Sequence, residues 1–402
     1  MKAGWKTKRL DEVCTLRPPK SEARKKLTDT DLVSFAPMDD LGIDCKYLNP
    51  KLTRSLGDVA GSYTYFANGD VLLAKITPCF ENGKLGIAHN LINGIGFGSS
   101  EYFVIRPCHE ISAEYLYYFL LQESFREEGA KSMTGAVGHK RVAKEFLEAH
   151  RIPIPPLPEQ QRIVAILDEA FEAIAAARAN AEQNRQNARA LFESYLQSVF
   201  NQRGEGWVER YLVDISKEFG RGKSKHRPRN EPKLYGGQYP FIQTGDISRS
   251  KHWLTSYSQT YSEQGLAQSR LWPKGTICIA IVGATVGETA ILNFDACFPD
   301  SVIGIVPDEN LANGEYVEYL LQAFKQILKD KGKGTARDNI NLGTFESQKF
   351  PFPPLALQNE IVATIDSLSV ETQRLESLYQ RKIAALDELK QSLLQQAFSG
   401  QL

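Results

Sequence analysis

Two stretches of the chain place apolar residues at alternating steps of four and three. The first stripe is Ile163, Leu167, Ala170, Ile174, Ala177, Ala181, Asn184, Ala188, Leu191 and Tyr195. The second is Ile361, Ile365, Leu368, Thr372, Leu375, Tyr379, Lys382, Leu386, Leu389 and Leu393. That spacing is the seam of a coiled coil. Prolines mark both starts, Pro153, Pro155, Pro156 and Pro158 in one and Pro351, Pro353 and Pro354 in the other, and a helix tolerates proline only in its first turn. No proline or glycine then interrupts the runs before Gly204 and Gly400. A helix of roughly 43 residues spans about 65 Å at 1.5 Å per residue. The alanine-rich first seam suits close approach to the larger second one. The alternative is two separate amphipathic helices, each lying on its own domain, which explains the stripe but not a length far beyond three or four turns.

The two stretches are copies of one another. PIPPLPEQQRIVAILD begins at Pro153 and PFPPLALQNEIVATID at Pro351, an offset of 198 that needs no gap. Gln160 matches Gln358, Asp168 matches Asp366, Leu191 matches Leu389 and Phe200 matches Phe398. Equal length at equal spacing makes the chain a tandem of two half-molecules, each a globular domain followed by a long helix. The boundaries that follow are 1–152, 153–203, 204–350 and 351–402. One departure stands out: Ala356-Leu357 replaces Pro158-Glu159.

The globular halves resemble each other more faintly. Each opens on Gly-Trp (Gly4-Trp5, Gly206-Trp207) and continues into a basic, proline-bearing loop. Buried strands are expected at 71–74 and 277–280 and again at 102–106 and 301–306, and a helix is expected to close each half, at 113–127 and 314–329. Each reads as an α+β domain of about 150 residues. Phe171, Phe192 and Phe200 lie off the strict seam, which leaves packing on their own domains or on a partner protein equally open.

Composition adds bounds. The 402 residues are 42% hydrophobic, ample for two cores. Six scattered cysteines form no CxxC pair, so neither a disulfide framework nor a zinc ribbon is suggested. No apolar run is long enough to cross a bilayer and no leader peptide is read, which points to the cytoplasm. Net charge is zero overall. The globular halves carry a small basic excess and the helices a small acidic one, too little to identify a partner.

Local clustering says more. Residues 17–26 hold Arg17, Lys20, Arg24, Lys25 and Lys26 against one carboxylate, Glu22. Residues 221–229 hold Arg221, Lys223, Lys225, Arg227 and Arg229 and no carboxylate. These segments sit at corresponding places in the two halves. A second pair follows the closing helices: Lys131 with His139, Lys140 and Arg141, and Lys333 with Arg337 and Asn339, both interleaved with glycine. Glycine lets a backbone approach a phosphate, and Lys and Arg neutralise it. Gln243, Arg337 and Asn339 are of the types that read base edges in bidentate fashion. Plain solvated loop tips are the competing interpretation.

Enzyme signatures are missing. Gly222-Lys223-Ser224 imitates the end of a P-loop, but Lys217 stands where its first glycine belongs. Gly94-Ile95-Gly96-Phe97-Gly98 lacks the last spacing of a dinucleotide fingerprint. Six dispersed histidines show no metal spacing, and no nucleophile–base pair is marked.

With its repeated P-x-P-P-L-x-x-Q element after each globular half, the whole chain resembles the specificity (S) subunits of type I restriction–modification systems. The resemblance implies two target recognition domains alternating with two long helices that pair as an antiparallel coiled coil, related by a pseudo-two-fold repeat. It implies a non-catalytic subunit that reads a bipartite, gapped sequence in double-stranded DNA. It implies as partners two modification (methyltransferase) subunits and, in a restricting system, restriction/translocase subunits. No cofactor is expected on this chain; S-adenosylmethionine, ATP and Mg belong to the partners. Half-sites of dimeric readers lie about 34 Å apart, a distance that helices of this length can set. A rival from another class is a coiled-coil adaptor that scaffolds two copies of a partner protein without touching DNA.

Overall fold

The computed structural model describes residues 4–136, 138–226, 228–332, 340 and 342–402. The chain forms two compact units, Met1–Glu182 with Arg381–Leu402, and Gln183–Gln380. Each long helix therefore contributes one part to each unit. The helices run Leu157–Asn201 and Leu355–Ser399, 45 residues each, and start at matching positions despite the Ala356-Leu357 departure.

In the first unit, strand Lys6–Arg9 pairs antiparallel with Arg151–Ile154 and delivers the chain to the prolines before the helix. A four-stranded sheet has the order Cys14–Leu16, Tyr102–Pro107, Val71–Ala74, Leu85–Ile87. Its two central strands bury apolar side chains on both faces, alternating between them. Val71, Leu73, Phe103 and Ile105 face a core with Tyr115, Phe119, Ile163, Leu167 and Leu394. Leu72, Ala74, Tyr102 and Val104 face a second core with Leu41 and Phe66. A second sheet, ordered Leu52–Ser55, Leu32–Ala36, Ile95–Gly98, Thr64–Ala67, covers that side. A Cβ on Gly96 would lie 2.2 Å from the Phe66 ring, and one on Gly98 would lie 2.2 Å from the Ala36 carbonyl oxygen. The glycine run that imitates a dinucleotide fingerprint thus answers to close contact inside a sheet.

The second unit repeats this order. Val208–Tyr211 pairs with Lys349–Phe352. One sheet runs Ser216–Arg221, Val302–Pro307, Ile277–Ala280, Thr289–Leu292, Trp253–Leu254. The other runs Gln259–Tyr261, Tyr235–Phe241, Ala296–Cys297, Leu271–Trp272. The helix that closes the second half is continuous over Gly314–Gly332. In the first half the expected single helix is two, Ala113–Leu120 and Glu123–Lys131. Gln122 turns extended between them (ψ 137°), and its amide donates to the Phe119 carbonyl at 3.0 Å, capping the first.

The repeated motif works as a latch. Buried Gln160 accepts from the Ser112 backbone N–H (2.9 Å) and donates to the carbonyls of Glu110 (2.8 Å) and Pro155 (2.9 Å). Buried Gln358 accepts from Asn313 N–H (2.9 Å) and donates to Leu311 (3.2 Å) and Pro353 (2.9 Å). Tyr115 donates to the Pro153 carbonyl at 3.0 Å, and Tyr316 to that of Pro351 at 2.8 Å. Tyr118 donates to Asp168, and Tyr319 to Asp366 at 2.6 Å. Each helix start is thereby bonded to the closing helix of its own domain.

Within each unit the helix segments run antiparallel. In the first, Arg162 donates to the Leu402 carbonyl (2.6 Å) and Arg178 pairs with Asp387 (2.6 Å). In the second, Arg185 bonds Gln380 (3.0 Å), while Tyr195 lies beside Thr364 and Leu368, and Val199 beside Ile361. The seam differs from expectation at several positions. Asn184, Leu191, Leu375, Lys382 and Leu389 are exposed, whereas Leu196, Phe200, Ile383, Leu394 and Ala397 are buried. Toward the helix ends the cause is that the segments rest on domain cores as well as on each other, so burial there follows the 3.6-residue turn and leaves the strict heptad. The three aromatics off the seam touch domain residues. Phe171 meets Tyr118 (5.3 Å), Phe200 meets Tyr316 (5.3 Å), and Phe192 joins the second unit's core.

Gln160→Ala or Gln358→Ala is expected to cost the unit that carries it about 2–4 kcal/mol, because buried groups left without partners cost about 1–3 kcal/mol each. Exposed Gln183→Ala should stay within about 0.5 kcal/mol. Urea unfolding followed by circular dichroism checks both; a loss under about 1 kcal/mol for either latch variant contradicts the latch.

Candidate nucleic-acid interface

The first basic segment is not the loop expected. Arg17 takes a left-handed backbone (φ 58°) while its N–H bonds the Val104 carbonyl, and the chain enters a short helix at Ser21–Lys26. The helix sorts its charges. Glu22 turns toward the domain and accepts from Arg106 (2.6 Å) and Tyr65 (3.2 Å). The Arg106 hydrogen bond, foremost, holds its carboxyl below the usual range. Arg24, Lys25 and Lys26 are exposed, so the one carboxylate of the segment is spent inside and three cations face water. Lys20 donates to the Gly61 carbonyl at 2.9 Å and serves as a tether.

The second basic segment is stitched to the end of a core strand. Arg141 forms isolated bridges with Ile76 and Thr134. Thr77 N–H bonds the Lys140 carbonyl and Val142 N–H bonds that of Lys75, both at 2.9 Å. Arg141 grips Glu101 with two hydrogen bonds, 2.9 and 2.8 Å. His139, Lys140 and Lys131 are exposed. Lys75, at the polar exit of the apolar strand Val71–Ala74, is a residue that sequence reasoning missed. It is half-buried and donates to the Ser100 carbonyl at 2.8 Å. Burial lowers its pKa; Glu101 opposes the shift and Arg17 and Arg141 add to it. One residue from each basic segment, Arg17 and Arg141, thus bears electrostatically on Lys75. The available signal was a lysine directly after a wholly apolar strand.

In the second unit, Arg221 ends its strand, and Gly222 passes so close to Phe298 that a Cβ would lie 2.2 Å from its carbonyl oxygen. Lys223 N–H bonds that same carbonyl at 3.1 Å. The backbone is anchored while Arg221, Lys223 and Lys225 stay exposed. Arg229 differs, being paired with both oxygens of Asp300 at 2.7 and 2.8 Å. Gln243 opens the short helix Thr244–Arg249; its backbone N–H donates to Asp246 (2.9 Å) and its exposed side-chain amide donates to Gln259 (2.6 Å). Gln259 joins the candidates as an amide that orients a potential base reader. Arg227, Lys333, Arg337 and Asn339 lie outside the described residues.

Residues 2–183 and 204–383 match a family model described as the type I restriction modification DNA specificity domain. The specificity subunit of the type I restriction enzyme EcoAI of Escherichia coli is 38% identical over 162 residues, 40% of this chain and 27% of that one. The chain thus spans about a quarter of the length of that curated relative. Among solved structures, the HsdS subunit from Thermoanaerobacter tengcongensis superposes with a TM-score of 0.66 at 21% identity, over 100% of this chain and 98% of that one. A chain solved under the heading "Structural basis underlying complex assembly and conformational transition of the type I R-M system" reaches 0.84 at 21% identity, over 100% and 99%. These likenesses establish a shared fold of two repeated α+β domains and long helices. No helix among the described residues is long and apolar enough to cross a membrane.

Replacing Arg221, Lys223 and Lys225 by alanine is expected to flatten the salt dependence of DNA binding, the log K slope falling by roughly 0.9 for each phosphate no longer neutralised. Fluorescence anisotropy across a salt series measures it. An unchanged slope removes this segment from the interface.

Proposed function

The chain belongs to the type I restriction modification DNA specificity family, and we propose that it is the non-catalytic subunit that reads a bipartite, gapped DNA target for its partners. Residues 1–152 read one half-site and 204–350 the other, while 153–203 and 351–402 act as spacers. The partners are double-stranded DNA, two modification subunits and, where the system restricts, restriction/translocase subunits. Adenine methylation and cleavage are carried out on those partners with S-adenosylmethionine, ATP and Mg, in the cytoplasm.

The observation that carries this reading is the doubling of latch and basic segment. Each unit bonds a long helix to its domain through the same glutamine, and each domain exposes cations on a segment after its first core-sheet strand. Phosphate contacts of this kind position a protein on the duplex, and base contacts from neighbouring side chains specify sequence. In the first domain Arg17, Arg24, Lys25, Lys26, Lys131 and Lys140 supply the cations and His139 a further polar contact, with half-buried Lys75 and carboxylate-paired Arg141 beside them. In the second they are Arg221, Lys223 and Lys225, with Gln243 as a base reader. Arg229 and Lys20, already bound to Asp300 and Gly61, shape the surface.

Selection from a random double-stranded library by the chain with its modification subunit tests the proposal. Two short motifs at a fixed gap are the expected result. Recovery of a single contiguous motif, or of none, contradicts it.

A further inference from the structure

The aspartate at which each domain meets its helix has a cation partner in the first unit. Lys46 places its ammonium 2.6 and 2.7 Å from the two oxygens of Asp168, which also accepts from Tyr118. The counterpart of Asp168 is Asp366, and that of Lys46, just before the short segment that pairs parallel beside the sheet, is His252. Glu318 takes the place of Tyr117. The permanent cation has gone and a carboxylate has been added.

The geometry around His252 is specific. Its Nδ1 lies 2.6 Å from Glu318 Oε2, and Glu318 is fully buried. Thr289 (2.7 Å) and Gln322 (2.7 and 2.8 Å) hold that carboxylate in place. The imidazole stacks on Tyr319, centroids 4.4 Å apart and planes 11° apart. With Nδ1 bonded to Glu318, Nε2 is the ring nitrogen left for a ligand. It faces Glu315 Oε2 at 3.5 Å, and ligand atoms of His252, Glu315 and Asp366 all lie within 4.8 Å of one another. Two carboxylates converging on an imidazole nitrogen call for positive charge among them, supplied by a proton on Nε2 or by a bound cation. A carboxylate behind the imidazole, fixing its tautomer, is the usual support of a metal-binding histidine.

We propose that His252 Nε2, Glu315 and Asp366 bind a divalent cation of the zinc class, with Glu318 and Tyr319 orienting the ligands. One imidazole with two carboxylates suits Zn²⁺, whose nitrogen and oxygen ligands sit at about 2.0–2.2 Å. Tetrahedral ligands at those lengths are about 3.3–3.6 Å apart, a spacing Nε2 and Glu315 already have, with the Asp366 oxygen within 4.8 Å of both. The ion fastens the second domain to its helix as Lys46 does in the first. Spacing along the chain hid the site, since its ligands come from a strand edge, the closing helix and the long helix.

The test uses the full chain, stripped with chelator and kept reduced, titrated calorimetrically with ZnCl₂ and melted with and without it. One Zn²⁺ per chain and a raised Tm are expected. His252→Lys, which installs the first unit's residue, should fold, lose that binding and melt independently of zinc. Glu315→Gln should weaken binding at least tenfold. Co²⁺ should give visible bands without a thiolate charge-transfer band. Absence of stoichiometric binding, undiminished binding by His252→Lys, or a thiolate band at the first equivalent overturns the proposal.

Discussion

A buried side-chain amide at the root of each long helix is the constraint on which the rest of the structure depends. Gln160 and Gln358 each satisfy one backbone donor and two backbone acceptors that converge from three directions. Such a group cannot slide along the helix without leaving several buried polar atoms unpaired. The rotation and axial position of each helix on its own domain are therefore fixed at a single residue. The prolines before it prevent the helix from starting earlier. The tyrosine–aspartate bond two turns on prevents it from tilting away.

The same skeleton carries two different surfaces. In the first domain the carboxylate of the basic helix is folded inward onto Arg106, and a half-buried lysine has its pKa lowered, by burial first and also by one arginine from each basic segment. In the second the basic segment has no carboxylate, and its Arg229 is paired with Asp300. Even the inner face has diverged, from Lys46 to His252. A shared core with separately altered exteriors suits two modules that recognise different sequences, since specificity is set by side chains at the surface while register is set by the latch.

Much of the fold was legible because it was written twice. The gapless repeat gave the helix starts to within a residue, since proline and the glutamine motif are local signals. The apolar strands at 71–74 and 277–280 were equally plain. The seam was legible only in part: a heptad count assumes that one partner buries the stripe, and here domain cores bury the ends. The break at Gln122 had no signal, because it rests on one side chain capping the preceding turn. Among site residues, the basic segments could be found by charge alone. Lys75 could not, because its position depends on the 131–141 segment returning to a strand some sixty residues earlier. Nor did charge distinguish Arg229 and Arg141, each already held by a carboxylate, from the exposed cations beside them.

The central claim is that each domain reads its own half of one DNA target. Modified-base sequencing tests it most directly, on DNA from cells expressing the modification subunit with either this chain or a version whose residues 204–350 come from another family member. One half of the methylated motif should change, while the other half and the gap stay the same. A motif that changes in both halves, or methylation that does not depend on this chain, would contradict the account.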